Sequence, residues 1–207
     1  LEAGGPRGPE GGSATRSAGA LLPPLGGNTG PSVRREHRHA ESGGGFAQDV
    51  WQGLVDLGVA GLVVEERFGG LGLRVLDAAL VAEMLGRHAV PVPFVGPMVL
   101  APLALAQAGS DAQRREWLPR IASGELRVGV ALSEATAGPR AGAGVQERDG
   151  RLHGRSLFVV DSAGAHRFLV ADGSGFLHMV ERDAPGLVVT PLDTIARTLA
   201  DHVYKEM

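Results

Sequence analysis

The sequence predicts an α+β chain, an α-helical half followed by a small antiparallel β-barrel. Three observations carry this. Apolar residues recur at helical spacing from Phe46 to about Gly124, the period shortens to two from Leu126 onward, and Gly-rich turns punctuate that second stretch at intervals suited to short strands. With 207 residues, 43% of them apolar and 21% charged, a packed core can be built. The chain divides into a Gly/Pro-rich leader (1–45), a helical unit (46–124), a strand unit (125–200) and the truncated start of a further segment (201–207). Because it begins at Leu1 rather than methionine, the expectation is a piece of a longer protein.

The leader holds 12 of the 32 glycines and 5 of the 13 prolines. Its few apolar side chains cannot offset the entropy of ordering the backbone, so it is predicted to be disordered. In the helical unit, Phe46, Val50, Trp51, Leu54, Val55 and Leu57 share one helical face, and Gly58 stands where a left-handed C-cap belongs. Val59 to Val64 is a short apolar stretch. It leads into Gly69-Gly70-Leu71-Gly72, where three glycines in four residues mark a backbone turn or a close approach. Leu76 to His88 reads as a second helix, with Leu76, Ala79, Leu80, Glu83, Met84 and Arg87 at helical spacings. A third apolar segment runs from Pro97 to Ala108. Ser110-Asp111-Ala112-Gln113 is a capping box opening a fourth helix, which should kink or restart at Pro119.

After Gly124, Leu126, Val128, Val130 and Leu132 alternate with Arg127, Gly129 and Ala131 as a strand. Gly138 to Gly144 is a loop. Segments 151–160, 166–171, 176–181 and 187–190 follow as strands, with turns at Gly164, Asp172-Gly173-Ser174-Gly175 and Pro185-Gly186.

Several function classes are excluded. Zero cysteines remove disulfide scaffolds, thiolate metal sites and a cysteine nucleophile. A net charge of −3 gives no footprint for nucleic acid. His37 and His39, in the run Arg34 to His39, have no helix to aim them at a metal and read as part of a solvated basic stretch. Val90 to Ala108 is uncharged over nineteen residues, but Pro91, Pro93, Pro97 and Pro102 argue against a membrane span. No secretory signal is visible, and the chain is expected to be cytoplasmic. Ser133-Glu134 has no histidine near it in sequence to suggest a hydrolase, and the glycines at 69–72 lack dinucleotide-fingerprint spacing. Glu83 is the one carboxylate on an apolar helical face. It is expected to pair with Arg87, one turn later.

Function comes from a resemblance. Trp51-x-x-Leu54-x-x-Leu57-Gly58-x-x-Gly61-Leu62 precedes Glu65-Glu66-x-Phe68-Gly69-Gly70-x-Gly72. Glu83-x-Leu85-Gly86-Arg87 and Trp117-Leu118-Pro119-x-Ile121-Ala122-Ser123-Gly124-Glu125 follow, then Ala131-Leu132-Ser133-Glu134, Leu152-x-Gly154-Arg155-x-x-Phe158-Val159 and Ala184-Pro185-Gly186. In order and spacing these stretches resemble the acyl-CoA dehydrogenase family over about residues 46–200, with Val64 where a proline is usual. The resemblance implies the N-terminal helical and middle β-barrel domains of that family, without its C-terminal helical domain. It implies FAD as cofactor, acyl-CoA as substrate, an electron-transfer flavoprotein or similar acceptor, and a homo- or hetero-oligomer when complete. In the family a base removes the α-proton of the thioester, usually a glutamate of the C-terminal domain, while hydride leaves to the flavin.

Carried over residue by residue, the resemblance places Ser133 where a threonine sits beside the flavin ring, with Leu132 adjacent through its backbone. Gly138 matches the glycine of a Gly-Ser-Asp turn in which Pro139 and Arg140 replace serine and aspartate. Phe158 stands where an aromatic packs by the flavin, and Val160 replaces a hydroxyl residue. These five, Leu132, Ser133, Gly138, Phe158 and Val160, are the expected cofactor-binding residues. No catalytic residue is assigned, so the chain alone is expected to be inactive. Pro139, Arg140 and Val160 keep open the alternative of a non-catalytic, degenerate partner subunit of a heteromeric dehydrogenase.

Overall fold

The computed structural model describes residues 46–138, 140–191 and the backbone of 201–205. The leader with its histidines, Pro139, the stretch 192–200 and the last two residues lie outside the described residues. In chain order come α1 (Gln48–Asp56), 3-10 turns at Val59–Gly61 and Glu66–Phe68, α2 (Val75–Arg87), a π-turn (Val95–Leu100), α3 (Ala101–Ala108) and α4 (Asp111–Ala122). Then follow β1 (Val128–Ala131), α5 (Ser133–Ala137), β2 (Gly144–Arg148), β3 (Arg151–Val159), β4 (Arg167–Ala171), β5 (Leu177–Glu181), β6 (Leu187–Pro191) and β7 (Asp201–Lys205). Helices precede strands, so the α+β order holds.

The helical half follows its local signals closely. Gly58 has φ 78° and stops α1. Gly70 is required by a close approach: a Cβ there would lie 2.1 Å from the Val64 carbonyl oxygen. The Gly-rich run folds back along residues 61–64, its Leu71, Gly72 and Leu73 amides donating to the carbonyls of Gly61, Val64 and Leu62 at 2.8–2.9 Å. Ser110 and Gln113 form the capping box of α4, with Ser110 N–H donating to Gln113 Oε1 at 2.8 Å and Gln113 N–H to Ser110 Oγ at 3.3 Å.

Helix α4 runs through Pro119 to Ala122 as one element, so of the kink or restart expected at the proline, the restart does not occur. Proline removes one ladder donor, but Leu118 and Ile121 on either side are buried in the core, and that packing holds the turn together. In α2 the periodic face named from sequence points outward. Leu76 is 63% exposed, Leu80 54% and Met84 37%, while Ala78 is buried and Val81, Ala82 and Leu85 pack on the core. The helix is apolar on both sides, and period alone does not choose between two apolar stripes. Glu83 does pair with Arg87, at 2.6 Å.

The strands form two sheets. One has the order β1-β4-β5, with β1 and β4 parallel and β4 and β5 antiparallel; the other, β2-β3-β7-β6, is antiparallel throughout. They meet at one bridge, in which Val130 and Val160 exchange backbone hydrogen bonds of 2.8 and 2.9 Å. Among the described residues the strands do not close into a barrel. The parallel pair arises because β1 and β4 are separated by α5 and a whole hairpin, a connection long enough to bring the chain back in the same direction. Strand β2 begins at Gly144, where the expected loop ends, and the sequence assigns no element to residues 145–148; residues 201–205, set apart from the strand unit there, lie between β3 and β6.

The halves share an apolar core in which Leu118 and Ile121 pack with Val128, Val130 and Leu169, and polar contacts add to it. Arg127, just before β1, lays its guanidinium 5.1 Å from the Phe46 ring centroid and 5.4 Å from that of Trp51. Asp161, just after β3, accepts the Gly96 N–H at 2.7 Å on its Oδ2. The side chain thus caps the π-turn from another element. It is 2% exposed, and burial raises its pKa to about 6.

Candidate functional site

The end of β1 and the end of β3 lie side by side, and most of the residues named from sequence gather there. Leu132 leaves β1 with φ −117° and ψ 3° and starts α5. The next residue, Ser133, donates its hydroxyl to the Phe158 carbonyl at 3.1 Å, across 25 residues of sequence. Phe158 has φ 54°, a strained value for a residue with a Cβ, and its side of β3 slips register between Ser156 and Val159. The bulge turns the ring outward, where it is 46% exposed.

Glu134 fixes this junction. Its Oε1 accepts the Leu157 N–H at 3.0 Å and its Oε2 the buried Ser156 hydroxyl at 2.8 Å. Arg140 approaches from the following loop, Nη1 3.8 Å from Glu134 Oε1, with its guanidinium 5.3 Å from the Phe158 ring centroid. That loop is entered through Gly138, at φ 83° and ψ 169°, a conformation essentially restricted to glycine. A Cβ at Gly138 would meet nothing within 4 Å, so the space beside the loop is open.

Val160 sits apart from this cluster. Its backbone is spent on the Val130 bridge, and its side chain, like that of Leu132, packs on the core cluster containing Val128 and Val130. Leu132 therefore faces the cluster through its backbone alone. Sequence reading missed the roles of Glu134, Ser156 and Arg140. The pair Ser133-Glu134 was visible, but a carboxylate's partners 22 and 23 residues away carry no local signal.

Chemically, the arrangement offers an exposed aromatic face, a hydroxyl with lone pairs to spare, and a guanidinium paired with an anchored carboxylate. Glu134, the carboxylate at this junction, is already engaged by Leu157, Ser156 and Arg140. Among the described residues there is no group of three or more metal-ligating side chains, and no helix is long and apolar enough to cross a membrane.

The model of the acyl-CoA dehydrogenase N-terminal domain matches residues 31–125. The chain is 32% identical over 162 residues to acyl-CoA dehydrogenase FadE27 of Mycobacterium tuberculosis, covering 76% of this chain and 43% of that protein. Among solved structures, the ChsE4–ChsE5 complex of Mycobacterium tuberculosis superposes with a TM-score of 0.69 at 30% identity, over 78% of this chain and 45% of that one. An acyl-CoA dehydrogenase of Bacillus anthracis complexed with FAD gives 0.68 at 25% identity, over 84% and 33%. The chain thus spans less than half the length of each of these relatives. It belongs to the acyl-CoA dehydrogenase family.

Proposed function

We propose that this chain supplies the helical and strand domains of an FAD-dependent acyl-CoA dehydrogenase, an oxidoreductase that removes two hydrogens across the α,β bond of an acyl-CoA thioester. The observation that carries the reading is the cluster of Ser133, Gly138 and Phe158 at the junction of β1 and β3, beside open space. These residues suit a flat aromatic ring system. Phe158 offers a half-exposed face for stacking, and Ser133, its proton directed to the Phe158 carbonyl, keeps lone pairs for an N–H on the ring edge. The backbone of Leu132 and the glycine at 138 line the approach, while Val160 packs on the core away from it. When bound, the flavin accepts the hydride that leaves the acyl chain.

The chain's own residues orient rather than abstract. Glu134 is held by Leu157 and Ser156 and faces Arg140, so it anchors the junction. We place the catalytic base outside these 207 residues, with an electron-transfer flavoprotein or similar acceptor, an oligomeric assembly and a cytoplasmic location as further parts of the proposal. A second reading, a non-catalytic subunit of a heteromeric dehydrogenase, is favoured by one feature: Arg140 lies over the ring that a flavin would stack on.

Flavin retention separates the two. The purified chain is incubated with FAD and passed through gel filtration, alongside Phe158→Ala. The dehydrogenase reading expects a flavin absorption band that survives in the parent and binding at least about tenfold weaker in the variant. A folded chain that retains no flavin supports the partner-subunit reading.

A further inference from the structure

The β2–β3 hairpin has two unlike faces. The cross-strand pairs Val145↔Gly154 and Glu147↔Leu152 lie on one of them, where Val145 is buried and Leu152 packs on the core. The alternate pairs, Gly144↔Arg155, Gln146↔His153 and Arg148↔Arg151, fall on the other. Those six residues carry three guanidinium groups and an imidazole, and none is a carboxylate. Of the hairpin's two acids, Glu147 caps the turn by accepting the Gly150 N–H at 2.6 Å, and Asp149 is in the turn itself.

A cleft of about 360 Å³ opens beside this face. Gln146, Arg148 and His153 form its polar wall; the rest of its lining, Gly173 of the β4–β5 turn included, is glycine, alanine and valine. The turn is fixed in place by the Gly173 N–H, which donates to the Val145 carbonyl at 2.8 Å. Arg148 is steered by a bond from Nη2 to the Gln146 Oε1, a neutral acceptor that orients the guanidinium without cancelling its charge. That bond leaves the Gln146 amide nitrogen as a donor. His153 is half-buried, its backbone paired with Gln146 and its ring on the wall of the cleft.

We propose that this cleft binds a phosphoryl group, held by the Arg148 guanidinium, the His153 imidazole and the Gln146 amide. A guanidinium fork, an imidazole and an amide converging from one wall match the several acceptor oxygens of a tetrahedral phosphoryl better than the two of a carboxylate. The glycine and alanine lining leaves room for the group to approach the backbone. The inference stands on the hairpin and the cleft alone and is independent of the flavin reading. The phosphoryl is either free phosphate or one carried on a nucleotide.

The test follows the histidine ring signals of the full chain by NMR during titration with inorganic phosphate and, separately, with ADP. The expected result is a saturable shift of the one signal that His153→Gln removes. Affinity should fall at least about tenfold in Arg148→Gln and stay unchanged in Arg87→Gln, a surface arginine on α2. Arg148→Lys, which keeps the charge without the fork, should fall between parent and Arg148→Gln, and it decides the matter if Arg148→Gln does not fold. Binding of ADP at least about tenfold tighter than phosphate assigns the group to a nucleotide, and equal affinities assign a free anion. No shift of the His153 signal with either ligand, or equal affinity in Arg148→Gln or Arg148→Lys and the parent, overturns the proposal.

Discussion

Asp161 offers a sharp test of how the two halves are joined. Its carboxylate is buried under the amides of residues 94–96, so the fold holds it partly against its own charge. The folded pKa of about 6 lies above the ordinary 3.8, and the direction of the linkage follows. The proton is favoured by the folded state, so the stabilisation is full below pH 3.8 and is lost as pH rises through 6. At about 1.4 kcal/mol per pH unit, the gap corresponds to about 3 kcal/mol of stability lost between pH 4 and pH 7. Asn at 161 does not titrate and keeps an acceptor for Gly96. Urea unfolding of the parent and Asp161→Asn at pH 4, 5, 6 and 7 should therefore show the variant gaining on the parent by up to about 3 kcal/mol as pH rises. Taking the difference cancels other titrating groups. These include His166, held low by burial and then by Arg127, which loses stability as pH falls from its ordinary value, and Asp172, held low by its bond to His178. Asp161→Ala should be less stable at every pH, by about 1–3 kcal/mol, because the Gly96 amide loses its acceptor. Parallel curves for parent and Asp161→Asn across this range would refute the burial argument.

Three further outcomes are expected. Gly70→Ala should cost more than about 2 kcal/mol in chemical denaturation, since its Cβ would meet the Val64 carbonyl oxygen at 2.1 Å and backbone cannot step aside. Glu134→Ala should cost about 1–3 kcal/mol by stranding the Leu157 amide and the buried Ser156 hydroxyl, with Glu134→Gln recovering part of the loss. Leu80→Lys combined with Leu76→Gln should reduce aggregation in light-scattering assays while changing stability by no more than about 0.5 kcal/mol, because both side chains lie on the outward face of α2.

Local rules predicted much of the helical half because its signals are short-range. The Gly58 stop, the Ser110 capping box and the Gly70 close approach are each decided within a few residues, and all three stand in the structure. The same rules do not settle the buried face of α2, since Leu76, Leu80 and Met84 repeat as well as Ala78, Val81 and Leu85 do, and only the neighbours decide which stripe goes in. At Pro119 the helix continues as one element, with Leu118 and Ile121 buried on either side.

In the strand half, alternation located five of the seven strands, but nothing in it encodes which strands pair or in which direction. The parallel β1–β4 pair and the Val130–Val160 bridge are long-range choices. The same holds at the candidate site. Ser133 and Phe158 were legible through motif resemblance, whereas the Glu134 anchor and Arg140 over the Phe158 ring depend on loop closure across many residues. The sequence by itself determined most of the helices, five of the described strands, the helix caps and the family likeness, because those rest on neighbouring residues and ordered motifs. Only the tertiary structure decided which faces are buried, how the sheets meet and which charges meet which partners, because these energies arise between residues that the chain brings together only on folding.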